Sequence, residues 1–322
     1  MRPADPGERG AALLTVLLLV AVIAVMAGAM LEKLRISSRL AGNAAAGEQA
    51  RAWGVAAEAL ATVRVGDLLS RSPERVTLAG GWSDRPFGLP LPGGGMATAR
   101  VTDGSNCFNL NGMVTQAAPG VYIAAPEQRA QFARLMRLVG IPAQVAEQIA
   151  GGAADWIDSD DEQQVGGAED ARYTGQGVAY RTAGTLMTDI SELRAVAGVT
   201  PEAYTQIKPW ICALPVAEPS PINVNTLLPE QAPLVAMLAP DTLSVQGARQ
   251  LLTKRPAEGW RDAGAIWSGV TPPAGAALAV TSRWFRLRID VAMPGAELQE
   301  RALIDARRLP VSLVSRQWGE DT

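Results

Sequence analysis

Residues 11–31, AALLTVLLLVAVIAVMAGAML, carry no charge. At 1.5 Å per residue such a run covers roughly 30 Å, the thickness of a bilayer core. An uncleaved membrane-spanning helix is the plain reading. A secretory signal cut near Ala27, Gly28 and Ala29 is the second, but its apolar region is usually shorter and its leader basic. Here Asp5 and Glu8 balance Arg2 and Arg9. The chain then continues without a break as LEKLRISSRLAGNAAAGEQARAWGVAAEALATVRVGDLL, Ala-rich and free of proline before Pro73. Helix is expected to about Leu69, weakened locally at Gly42, Gly47 and Gly54. A single helix over 11–69 would be ~90 Å long, half in lipid and half outside.

The whole chain has 322 residues, which bounds it to one to three domains. With 48% apolar and 19% charged residues, most of it can fold around a core. The net charge is -3, and nothing in the total suggests the basic footprint of a nucleic-acid binder. There is no histidine, which excludes Ser-His-Asp and Cys-His catalysis and every His-liganded metal. Two cysteines, Cys107 and Cys212, are too few for a zinc knuckle or a disulfide-dense scaffold. With no nucleophile motif and no cofactor fingerprint, an enzyme is not expected.

Beyond Leu69, Pro73, Gly80-Gly81, Pro86, Pro90, Pro92 and Gly93-Gly94-Gly95 signal loops. A strand is expected near 97–110, leading into FNLNG at 108–112. From Pro126 to Leu214 the pattern turns helical, in PEQRAQFARLMRLVG, PAQVAEQIAGGAADWID and LMTDISELRAVAG; Gly140 and Gly198 sit where C-caps belong. A Pro-rich linker at 215–221 precedes INVNT, and helices are expected near 229–238 and 244–254. At the end, Phe285, Leu287, Ile289 and Val291 alternate with Arg286, Arg288 and Asp290, the period of a half-buried strand. Residues 301–306 can pair with it across a Pro294-Gly295 turn. The expected class is α+β: a small antiparallel sheet packed on the long helix, formed by 71–112 and 218–322, with a helical domain inserted at 113–217.

The richest site candidate is the loop at 158–170. Asp158, Asp160, Asp161, Glu162, Glu169 and Asp170 place six carboxylates within thirteen residues. A hard cation such as Ca²⁺ takes six to eight oxygen ligands, which loop carboxylates and carbonyls supply. Counted from Asp158, Asp160, Glu162 and Glu169 fall on the third, fifth and twelfth positions of an EF-hand, but the sixth is Gln163 rather than glycine. The loop is therefore not an EF-hand, and a solvated acidic loop is the bland alternative.

Two sets of residues resemble a known family. A short charged leader ending in Gly10, abutting an apolar helix that runs on as an amphipathic one, resembles a type IV prepilin N-terminus. DWIDSDDE with GAED and Tyr173, FNLN after the cysteine, and INVNT before a helical pair resemble segments of the type II secretion minor pseudopilins. The inserted helical domain, and Thr15 where most pilins carry Glu, point to the K-type family (general secretion pathway protein K). That resemblance implies cleavage between Gly10 and Ala11 by a membrane prepilin peptidase, methylation of Ala11, and the pilin-like fold. It implies single-pass anchoring in the bacterial inner membrane with the bulk of the chain in the periplasm. It implies a cap on the pseudopilus tip with the I- and J-type minor pseudopilins above the major pseudopilin, and structural calcium in the acidic loop, onto which Asp158, Asp160, Asp161, Glu169 and Asp170 map. Ala11 departs from the usual Phe. Thr15 leaves no acid to neutralise the N-terminal ammonium of a subunit above, which reads as a tip position; an ordinary helix residue facing lipid is the alternative.

The two cysteines flank the inserted domain, and an oxidising periplasm favours a Cys107–Cys212 bridge, two buried thiols being the alternative. INVNT, two helices and WRDAGAIW also resemble a helix-hairpin-helix unit of DNA-uptake receptors. The hairpin at 238–243 has no glycine and carries Pro240 and Asp241 where a phosphate would sit, which argues against nucleic acid as a partner. A type IV pilus minor pilin is the remaining alternative.

Overall fold

The computed structural model describes residues 6–175, 180–240, 242–271 and 276–319. Helix α1 (Pro6–Arg71) is unbroken for 66 residues, slightly longer than its composition suggests. Every residue from Ala11 to Ala45 is exposed. Burial begins at Ala50 and continues through Ala57, Ala61, Val65 and Leu69, a narrow stripe of mostly small side chains along one helix face.

That stripe packs on a five-stranded antiparallel sheet in the order β1-β2-β9-β10-β11. After α1 the chain forms β1 (Phe87–Pro90) and β2 (Met96–Asp103). It then leaves the sheet for β3 (Phe108–Asn109), β4 (Val114–Ala118), β5 (Val121–Ala124), α2 (Pro126–Leu138), α3 (Ala143–Ile157), α4 (Asp170–Thr174), α5 (Pro201–Ile207), β6 (Ile211–Cys212), β7 (Ile222–Asn223), α6 (Ala232–Ala236), α7 (Val245–Thr253) and β8 (Leu278–Ala279). It returns as β9 (Trp284–Met293), β10 (Ala296–Asp305) and β11 (Ser312–Trp318). The β9–β10 hairpin turns at Pro294-Gly295, where Gly295 takes a positive φ of 84°. Register brings Ala99 opposite Ile289, Val101 opposite Leu287 and Ala302 opposite Leu287, so one apolar face meets α1.

Gly54, expected only to weaken α1, has a packing reason. A Cβ there would lie 2.9 Å from Glu300 Oε2 and 3.0 Å from the Trp318 ring. The missing side chain lets β10 and β11 close onto the helix.

The helical body is larger than expected. One continuous apolar cluster joins Phe108, Phe132, Met136, Ile149 and Leu193 to Ile222, Val224, Leu234, Leu251 and Trp267. Apolar packing therefore continues across the expected boundary at 217/218. Residues 222–282 bury their apolar side chains with the helices, and only β9, β10 and β11 return to the sheet. The linker at 215–221 is not free chain either: Asn109 Nδ2 donates to the carbonyls of Val216 and Glu218 at 3.0 and 2.8 Å. The helix expected in LMTDISELRAVAG is a 3₁₀ turn, Ile190–Ala195, started by an Asp189/Glu192 capping box. Likewise 229–238 divides into a 3₁₀ turn (Pro229–Gln231) and α6.

Candidate functional site

The body is welded to the sheet by buried polar groups. Asp103, at the end of β2, accepts from Thr226 Oγ1 and Ser282 Oγ at 2.5 Å each and from the Ser105 amide at 2.8 Å. Asn106 Nδ2 donates to Thr226 Oγ1, and Asn223 Nδ2 to Ser282 Oγ and the Val76 carbonyl. These bonds tie β2, the loop after it, INVNT and the entry to β9 into one knot. Cys107 and Cys212 form a disulfide beside it, packed on Trp284. The asparagines of FNLNG and INVNT are structural amides. Asn111 bridges the Met187 and Leu214 carbonyls, and Asn225 pairs with the Trp260 peptide. The Asp241 of the 238–243 hairpin lies outside the described residues.

The acidic loop hangs from the end of α3. Its ladder stops at Asp158, whose amide still reaches the Ala154 carbonyl at 2.9 Å. The loop then folds back along α3, because Gly151 leaves room: a Cβ there would lie 2.7 Å from the Gly167 amide and 2.8 Å from the Val165 carbonyl. Arg129 on α2 clamps it by donating from Nη1 to the Val165 carbonyl at 3.0 Å. Ser159 joins it to the β4–β5 hairpin, donating its amide to the Tyr122 carbonyl and accepting the Tyr122 amide, each at 3.0 Å.

The carboxylates divide into two groups. Asp158 is 1% exposed, and neither of its oxygens has a hydrogen-bond partner. Both oxygens of Glu169 and Oδ2 of Asp155 are equally unpartnered. Burial first, then the negative charges of Asp160, Asp155 and Glu169, push the Asp158 carboxyl up to about 8. Burial and the charges of Asp155, Asp161, Asp160 and Asp170 push Glu169 to about 7. Asp155 is raised too, chiefly by burial. Asp160 and Asp161 are exposed, Asp160 accepting from the Glu162 amide at 2.8 Å. Asp170 is engaged elsewhere: Oδ1 accepts from Thr182 N and Oγ1, and Oδ2 lies 3.5 Å from Arg181 Nη1.

Asp155 is the member that sequence reasoning missed. It is fully buried, three residues before Asp158 on the same helical face, and that spacing was its available signal. Among the described residues no three His, Cys, Asp or Glu side chains form a finished metal-binding arrangement. The donor set, all hard oxygens with orphaned lone pairs, nevertheless fits a hard cation.

At the other end of the molecule, Gly10 and Ala11 lie within the first turns of α1. Thr15 is exposed, its hydroxyl satisfied by the Ala12 carbonyl at 2.9 Å. This is how a lone hydroxyl is accommodated on a lipid-facing helix. The helix is long and apolar enough to cross a membrane.

A long apolar helix clasped by an antiparallel sheet, with a helical body inserted between β2 and β9, is the architecture of a pilin-like subunit. Family models described as type II secretion system (T2SS), protein K match residues 106–216 and 222–282. Type II secretion system protein K of Pectobacterium carotovorum is 33% identical, with 97% of each chain covered. Its counterpart in Klebsiella pneumoniae is 34% identical, again over 97% of each. The crystal structure of the GspK-GspI-GspJ complex from enterotoxigenic Escherichia coli superposes with a TM-score of 0.73 at 32% identity, covering 85% of this chain and 97% of that one. The chain belongs to the type II secretion system protein K family.

Proposed function

We propose that this chain is a non-enzymatic minor pseudopilin, anchored by α1 in the inner membrane with its sheet and helical body in the periplasm. There it caps the pseudopilus with I- and J-type partners above the major pseudopilin. One observation carries the reading: α1 is exposed from Ala11 to Ala45, uncharged over 11–31, and clasped by the sheet in its second half. Such a helix has a lipid or filament environment at one end and a folded head at the other. The likeness to the K subunit of a K-I-J complex supports the choice of partners. Thr15 supports the tip position, since an unpaired ammonium in hydrocarbon is costly and this subunit offers no acid to one above it. Processing between Gly10 and Ala11 and methylation of Ala11 belong to the same reading. Detergent-extracted full chain should co-purify with I- and J-type pseudopilins and begin at Ala11 by intact mass. A chain that begins at Met1 and captures neither partner overturns it.

The acidic loop is read as a structural Ca²⁺ site. Asp158 and Glu169, with Asp155, are the side chains that would hold the ion; Asp160 and Asp161 lie within reach of the same charge cluster. Ca²⁺ would supply charge neutralisation only. Trp156, Tyr173 and Tyr180 cluster edge-on or tilted beside the loop, with ring centroids 5.1 to 6.0 Å apart. Tb³⁺ bound there should luminesce on excitation of these rings and be displaced by Ca²⁺. No sensitised emission from wild type removes the assignment.

A further inference from the structure

The charge on α1 just beyond its apolar run is not explained by the fold. Lys33, Arg35 and Arg39 lie within seven residues, against one acid, Glu32. All are exposed, and among the described residues none of the three cations has an ion-pair partner, whereas Arg51 further along pairs with Glu48 at 2.6 Å. Interleaved with them are Leu34, Ile36 and Leu40, which are 66%, 49% and 63% exposed. The exposed apolar character thus runs from residue 11 to residue 40. At 1.5 Å per residue that is ~45 Å, about 15 Å more than a hydrocarbon core. The excess is the segment that carries the cations.

We propose that residues 32–40 form an interfacial collar that binds anionic phospholipid headgroups at the outer face of the inner membrane. The proposal rests on the membrane-anchored reading above. The apolar side chains would remain in the acyl boundary while the long basic side chains reach outward to phosphates.

Two observations favour lipid over a neighbouring protein helix. First, the cations do not share a face. At ~100° per residue, Lys33 and Arg35 point about 160° apart, with Arg39 about 40° from Arg35. A partner helix reads one stripe, whereas a headgroup layer surrounds the helix on all sides. Second, membrane orientation does not account for them. Lys and Arg favour the cytoplasmic side, yet in this reading these three are translocated, and Arg2 and Arg9 leave with the leader.

The test is spin-label EPR of the full-length chain in phosphatidylcholine vesicles doped with spin-labelled phosphatidylglycerol or spin-labelled phosphatidylcholine. The expected result is a motionally restricted population for both lipids, with phosphatidylglycerol preferred about threefold at low salt. The preference should shrink at high salt and vanish in Lys33→Gln/Arg35→Gln/Arg39→Gln. That variant should keep its restricted phosphatidylcholine, which shows that it still inserts. Equal restriction of the two lipids by the wild-type chain overturns the collar while leaving the membrane anchor standing. A preference that survives the triple variant overturns it too. So does an unselective wild type whose triple variant loses capture of other pseudopilins, which assigns the cations to a protein neighbour. No restricted lipid of either kind removes the anchor and the collar together.

Discussion

Asp103 and Asp158 are both buried carboxylates at the end of a regular element, and they are treated in opposite ways. Asp103 ends β2 and accepts from two hydroxyls and an amide. Asp158 ends α3, accepts nothing, and faces three other acids. Burial raises both, as it raises any acid removed from water. The difference lies in what the surroundings offer the anion. At the joint, every partner is covalently part of the fold, so the network is complete when the chain is folded. At the loop, the fold offers Asp158 no donor. A buried acid with a full set of donors reads as architecture; a group of close acids left with unpartnered oxygens is what we read as a place for a cation.

The largest expected effect falls on the joint. Cys107 and Cys212 close a loop of sequence separation 105 across it. Replacing both with Ala should lower stability by roughly 4–5 kcal/mol in the chain-entropy view, read as a fall in urea midpoint of the full chain in detergent. If the midpoint holds, the hydrogen-bonded knot alone fixes the joint.

Asp103→Ala comes next. It strands two hydroxyls and the Ser105 amide inside the protein, at a cost of about 3 kcal/mol. The loss should be the same in calcium and in EDTA. A calcium-dependent loss would mean that the joint and the loop are not separate devices.

The loop should show the opposite pattern, with a sign that depends on the ion. Without a cation, a folded-state pKa of about 8 for Asp158 and about 7 for Glu169 means that folding takes up protons. Stability is then full below the unfolded values near pH 4 and is lost as pH rises towards 8. In EDTA the melting temperature should therefore fall from pH 5 to pH 8, and millimolar calcium should abolish or reverse that fall. Asp158→Asn removes one charge from the cluster, about 1 kcal/mol of repulsion for each neighbour at ~4 Å in water. It should raise the melting temperature in EDTA at pH 8 and lower it in calcium. A variant that shifts both conditions the same way breaks the comparison, because the acid would then be structural like Asp103.

Much of this was legible in the sequence where one residue pattern has one physical meaning. The uncharged run at 11–31, the alternation from Phe285 to Val291 and the Pro294-Gly295 turn each fixed an element. The paired cysteines pointed to the disulfide that closes the joint. Less legible was the packing across 217/218, because a Pro-rich stretch looks like a free linker. Here its carbonyls are bonded by Asn109, and the apolar residues of 222–282 have their partners more than a hundred residues earlier in the chain. Asp155 was hidden because a single acid in an Ala-Gly helix looks like a solvated position; only the fold-back of the loop buries it. Asp103 was hidden for a similar reason, since its donors come from positions 226 and 282.

The smallest expected effect comes from a third buried acid that lies between the two cases. Glu300 on β10 is 1% exposed and shares Arg316 with Glu58. Arg316 is committed to Glu58, donating from Nε and Nη2 at 2.7 Å each, and stands 3.5 Å from Glu300. One guanidinium cannot neutralise two carboxylates. Burial and the Glu58 charge push Glu300 up to about 8; Glu58 is also buried, but Arg316 holds it below the usual range. Glu300 is thus kept near neutrality by a proton, where Asp103 has donors and Asp158 would have an ion. Its contribution is full below about pH 4 and is lost as pH rises through 8. Glu300→Gln keeps the shape and removes the titration. It should change the urea midpoint by less than about 1 kcal/mol equivalent at pH 6 and leave the variant more stable than wild type at pH 9. A variant that is much weaker at pH 6 would mean that Glu300 is ionised there and bound to Arg316, which would move this acid into the same class as Asp103.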